Sequence, residues 1–148
     1  IVLAATAGWF YQSIQSDHYS GNEQAMKTAL ELTSLERADH VDFYAGDRQI
    51  RIVFGVNANN EKLIVWVDGE AVHEEKASDG ASRDDIREAV RQRHGDVEWI
   101  RLVPGIYHGE YVWEAFFKIE EADGKRHYYD YYRFRDGGWL DTLRLKTE

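Results

Sequence analysis

The sequence predicts an α+β protein made of two similar units, each one helix packed on a small antiparallel sheet. Three observations lead there. A helix signal followed by a run of strand signals occurs twice, once from Ser20 and again from near Asp79 and Gly80. The strand candidates alternate apolar and polar residues with a period of two, as half-buried strands do. A single proline and recurrent turn residues fit short strands joined by hairpins.

In the first unit, Ser20 and Glu23 have the spacing of a capping box, in which the serine side chain caps and the glutamate reaches back to its amide. Ala25, Met26, Ala29, Leu30 and Thr33 follow at helical spacing. Three strands are expected next, at residues 41–44, 49–54 and 62–67. Ile50, Ile52, Phe54 and Val56 share one face of the second strand; Leu63, Val65 and Val67 share one face of the third. Residues 45–47 and 57–60 carry hairpin chemistry. Residues 70–78 read as a connection that either adds a strand or leads into the second helix.

In the second unit, Ser82 is the expected cap with Asp85 three residues on. Ile86, Ala89 and Val90 form the apolar stripe, and Gly95 is the stop. Strands are expected at residues 97–103, 111–119, 126–134 and 139–145. The expected turns run from Pro104 and Gly105 through His108 and Gly109, then over 122–124 and 136–138. Tyr111, Trp113, Ala115, Phe117 and Ile119 alternate strictly, so one face of that strand is core.

The 148 residues carry a net charge of -9, which repels nucleic-acid phosphates and anionic lipid, and no basic stripe offsets it. Nucleic acid is therefore not an expected partner. The absence of cysteine excludes disulfides and thiol chemistry. Residues 1–11 are apolar and uncharged, yet a bilayer span needs about 20 such residues. The expectation is that they are the end of a longer membrane helix, with Trp9, Phe10 and Tyr11 in the interfacial belt. A short buried helix or the end of a signal peptide are the alternatives.

Catalytic motifs are missing from the sequence: no nucleophile elbow, zinc-helix pair, phosphate loop or dinucleotide fingerprint. His18, His40, His73, His94, His108 and His127 show no i, i+4 pair. His73, Glu74 and Glu75 are the nearest approach to a metal cluster, and read better as a solvated charge run. Asp84 and Asp85 fall in a first helical turn, where the dipole favours them without any acid–base role. No enzyme, cofactor or metal is expected. The run at 128–135 stands out, because both faces of the strand carry aromatics. Tyr128, Asp130, Tyr132 and Phe134 share one face; Tyr129, Tyr131, Arg133 and Arg135 share the other. Tyrosine and arginine are enriched at binding hot spots, so these last four are the candidate partner surface. Cross-strand packing that only stabilises the sheet is the competing reading.

A set of fragments also carries a resemblance. Phe54 with Gly55, KLIVWV at 62–67, Ser78 to Gly80, Val112 to Glu114, and YYDYYRF at 128–134 with Asp136 to Trp139 occur in fixed order. Together they resemble the YpmB/TseB-like family of Gram-positive bacteria, over nearly the whole chain from Tyr19 onward. The resemblance implies a membrane anchor and linker over 1–18, a first cystatin-like unit over 19–76 and a second, PepSY-like unit over 77–148. It also implies an extracytoplasmic regulator of cell-wall elongation that contacts a penicillin-binding protein. A protease inhibitor of the PepSY or cystatin type is the rival reading, disfavoured by polar hairpin tips. A small-ligand binder with an α+β pocket is the third.

Overall fold

The computed structural model describes residues 18–146. The chain divides into two compact units, Ile1–Asp79 and Gly80–Glu148. Among the described residues each contains one α-helix and one four-stranded antiparallel sheet in sequential order. The architecture is α+β, repeated in tandem. The proposed anchor over 1–18 lies outside the described residues apart from its last position.

The first unit holds α1 (His18–Leu32), β1 (Leu35–Ala45), β2 (Gln49–Asn57), β3 (Lys62–Asp68) and β4 (Ala71–Lys76), then a 3-10 turn at Ala77–Asp79. Ala25, Met26 and Ala29 of α1 pack with Val53, Leu63, Val65 and Val67 in one buried cluster. α1 begins at His18, two residues before the Ser20 expected to start it, so position 20 lies inside the helix. Burial raises the Glu23 carboxyl above its ordinary value.

The two apolar stripes expected in β2 and β3 lie on opposite faces of the sheet. Val53 pairs with Val65 and Gly55 with Leu63 on the side of α1; Ile52 pairs with Trp66 and Phe54 with Ile64 on the other. Ile52, Ile64 and Trp66 are nonetheless buried. Every residue from Leu63 to Val67 is buried, the pattern of a strand covered on both faces.

β1 is longer than expected because its pattern has the wrong period. Its buried residues, Leu35, Ala38, Val41 and Tyr44, recur every third position. Register shifts between Leu35 and Arg37 and between Ala38 and His40 insert two bulges, each turning the next residue by one face. Leu35, Ala38 and Val41 thereby join the same core cluster. β4 resolves the open reading of residues 70–78: it is a strand, antiparallel to β3.

The second unit holds α2 (Arg83–His94), β5 (Glu98–Tyr107), β6 (Glu110–Glu121), β7 (Gly124–Arg133) and β8 (Trp139–Arg144). Its capping box forms as the spacing predicts. Asp85 donates its amide to Ser82 Oγ at 3.1 Å, and Ser82 donates its amide to Asp85 Oδ2 at 2.9 Å. Ile86 and Val90 are buried and Gly95 ends the helix with φ 80°.

Pro104 and Gly105 are not a turn. They lie inside β5, opposite Trp113 and Val112. β5 is an edge strand, where a residue without an N–H is tolerated. The turn is the two-residue step His108 and Gly109, both with positive φ (49° and 80°), as a type I′ hairpin demands.

Candidate functional site

The tyrosine-rich strand β7 organises two different environments, one on each face of the second sheet. On the face toward α2, Asp130 is fully buried. Its carboxylate accepts from Tyr132 Oη at 2.6 Å and Thr142 Oγ1 at 2.6 Å, and lies 2.9 Å from His94 Nε2. His94 is the last residue of α2, and its ring also sits 5.2 Å from Phe117 and 5.8 Å from Tyr128. Burial, reinforced by the bond to Asp130, pushes the Tyr132 hydroxyl far above the ordinary tyrosine value. A histidine on a buried carboxylate beside a tyrosine resembles acid–base machinery, but each group here is spent on another. The network fastens the end of α2 to β7 and β8. An aspartate at an inward-facing position between tyrosines is the sequence signal that points to it.

On the opposite face, rings from three strands stack in one row. His127 and Phe116 are 5.4 Å apart, Phe116 and Tyr129 4.3 Å, Tyr129 and Tyr131 6.3 Å, and Tyr131 and Tyr107 3.8 Å at an interplanar angle of 8°. The Arg101 guanidinium lies 4.9 Å over Phe116. Beneath the row is Glu114, 4% exposed, which accepts a hydrogen bond from Tyr131 Oη at 3.0 Å. Burial raises the Glu114 carboxyl above its ordinary value, while the Tyr131 hydroxyl and the Arg101 charge oppose that rise.

Of the four candidate surface residues, Tyr129, Tyr131 and Arg133 do share a face, but they do not form one exposed strip. Tyr129 is half-buried within the stack. Tyr131 is 6% exposed, because Tyr107 stacks on it and Glu114 takes its hydroxyl. Arg133 is paired with Glu110 at 3.2 Å and Asp136 at 3.1 Å. Arg135 is exposed but lies beyond β7, in the turn that Arg133 and Gly138 close. The partly accessible part of the face is Tyr129 with Phe116, His127 and, more exposed, Arg101. These four come from β5, β6 and β7, so only the register brings them together.

The remaining sequence candidates are structural. His73 packs against Trp66 at 5.5 Å and pairs with Glu75 at 2.7 Å. Glu74 accepts from both the amide and the hydroxyl of Ser34, tying β4 to the mouth of β1. Among the described residues no group of three His, Asp or Glu is placed to hold a metal ion. Asp85 completes the capping box with Ser82, and Asp84 pairs with Arg87. Among the described residues no helix is long and apolar enough to cross a membrane.

Residues 24–68 match the family model of the cell wall elongation regulator TseB-like domain. The matched stretch is 45 of the 148 residues. It spans α1 to β3, which includes the bulged strand and the two-sided β3. Among solved structures, the chain is similar to the YpmB protein from Bacillus subtilis, with a TM-score of 0.76 and 19% sequence identity. The likeness covers 88% of this chain and 100% of that one. It is a likeness of fold, and it extends past the TseB-like stretch into the second unit. No curated protein matches the chain in sequence.

Proposed function

We propose that this protein is a non-enzymatic binding module that regulates cell-wall elongation from outside the cytoplasm by contacting a penicillin-binding protein. The TseB-like match over 24–68 is the observation that carries the reading. The tandem helix-on-sheet units fit cystatin-like and PepSY-like modules, and the fold likeness to the YpmB protein supports the same class. The apolar residues 1–11 would hold the module at the membrane, confining it to two dimensions and raising its effective concentration near a membrane-bound partner. The half-exposed row of Tyr129, Phe116 and His127, with Arg101 over it, offers the aromatic and arginine chemistry of an interface.

The test is a membrane crosslinking pull-down of the full chain, followed by mass spectrometry. The expected outcome is recovery of a penicillin-binding protein of the elongation machinery, reduced at least tenfold by the double change Tyr129→Ala and Phe116→Ala. Unchanged capture by that folded variant removes the surface. Absence of any penicillin-binding protein from the unaltered chain's captures overturns the function.

A further inference from the structure

Four sheet edges are present among the described residues, and three carry devices that discourage a further strand. β1 is bulged twice. β4, six residues long like β8, carries three consecutive charges, Glu74, Glu75 and Lys76. β5 is bulged between Trp99 and Arg101 and contains Pro104. β8 differs. Its one irregularity is at its start, and Asp141 to Arg144 run in regular register with Tyr131 to Tyr128. Asp141 and Arg144 are already spent on Tyr107 and Glu121.

The outer side of β8 is chemically open. Leu145 donates its amide to the His127 carbonyl at 2.9 Å, toward β7. Strand alternation then turns the backbone of Leu143 and Asp141 toward β7, and that of Thr142 and Arg144 away from it. The Thr142 amide is satisfied by Asp141 Oδ1 at 2.8 Å. The Thr142 carbonyl and both backbone groups of Arg144 face outward, and among the described residues no strand pairs with that side. Six large hydrophobic side chains are exposed among the described residues, and three of them are here: Trp139 (44%), Leu143 (39%) and Leu145 (37%).

We infer that the β8 edge is a strand-addition site for an extended segment of another protein, apolar at alternate positions and acidic at its ends. The inference rests on the binding-module reading and gives it a mode of contact: backbone hydrogen bonds for affinity, side chains for choice. Charge selects the occupant. Arg93 stacks on Trp139 at 4.0 Å at one end of the edge, and Lys146 stands exposed at the other. No salt bridge involves either among the described residues, although the Arg93 guanidinium also donates to the Tyr132 hydroxyl; the chain as a whole is acidic at -9. A second copy of this chain fits poorly. Antiparallel self-pairing brings Lys146 of one copy to Trp139 and Arg93 of the other, cation against cation.

The test uses three synthetic peptides on the full chain, read by amide hydrogen exchange and NMR shifts. The first is acetyl-Glu-Val-Thr-Val-Thr-Val-Glu-amide; the second carries Lys for both Glu; the third has Pro at its centre. The expected result with the first peptide at millimolar concentration is at least tenfold slower exchange of the Arg144 amide and a shift of the Trp139 indole resonance. The Lys peptide should act at least fivefold more weakly and the Pro peptide not at all. The folded Leu143→Lys variant should lose the response. Equal response to all three peptides, or protection of β4 rather than β8, overturns the site. Concentration-dependent protection of Arg144 without peptide also overturns it, in favour of a second copy. No penicillin-binding protein enters this experiment, so its failure leaves the proposed function standing, and an empty pull-down leaves the edge site standing.

Discussion

The backbone carbonyl oxygen of Arg37 stands over Gly55, 1.8 Å from where a Cβ on that residue would lie. The two bulges of β1 fold its backbone onto β2 at this point, and Leu35 Cδ1 closes the other side at 2.8 Å. Backbone cannot step aside as a side chain can. Gly55→Ala should therefore destabilise the first unit by about 2–3 kcal/mol, in the range of overpacked cores. Denaturant unfolding measures it. A loss under about 0.5 kcal/mol would show that β1 can withdraw from β2 at little cost.

His94 and Asp130 give a second prediction. His94→Ala removes one partner of a fully buried carboxylate and should cost about 3–5 kcal/mol. Glu88→Ala, which breaks the exposed i, i+3 pair with Arg91 on the same helix, should cost far less, because solvent screens the pair. Chemical denaturation of both variants, side by side, tests whether the network rather than the helix surface fastens α2.

Glu114 predicts a gain. Its folded-state pKa is raised, so the native chain holds its proton to higher pH than the unfolded chain does. Stability from this group is full below the ordinary glutamate range and declines as pH rises through the raised value. Glu114→Gln keeps an acceptor for the Tyr131 hydroxyl and removes the charge. It should be neutral to stabilising by about 1 kcal/mol at pH 7, with the difference vanishing near pH 4. Urea melts at the two pH values decide it; a loss at pH 7 would mean that the contact with Arg101 outweighs burial.

Glu121 has the opposite sign. Arg144 and Tyr128 hold its carboxylate down to about 2, from an ordinary value of 4.5. Its contribution is present above that ordinary value and is lost as pH falls toward about 2. The melting temperature of Glu121→Gln should lie below that of the unaltered chain at pH 6 and converge with it by pH 2. Parallel curves across that window would assign the acid sensitivity to other carboxylates.

The sequence is legible where one residue reports one fact. Ser82 with Asp85 announces a helix start, Gly95 a stop, and the alternation from Tyr111 to Ile119 a buried face. It misleads where two periods compete. The bulges give β1 a three-residue burial rhythm, so only its last few residues read as strand. Pro104 and Gly105 carry turn chemistry, yet the edge of a sheet accepts them. The aromatic row is assembled from β5, β6 and β7, and no single stretch of chain contains it. The parity of β7 does place Tyr129 and Tyr131 on one face, but parity says nothing about Tyr107 covering Tyr131.

The burial of β3 on both of its faces has a consequence for the chain before it folds. A strand that can lose every side chain from Leu63 to Val67 to the interior must present all five to water in the nascent or denatured state. The run is rich in β-branched and aromatic residues and holds no proline, glycine or charge, the composition that seeds intermolecular sheets. Lys62 and Asp68 bracket it as gatekeepers. Variants that slow the first unit's folding should therefore fail by aggregation through this segment before they fail by loss of contact with any partner.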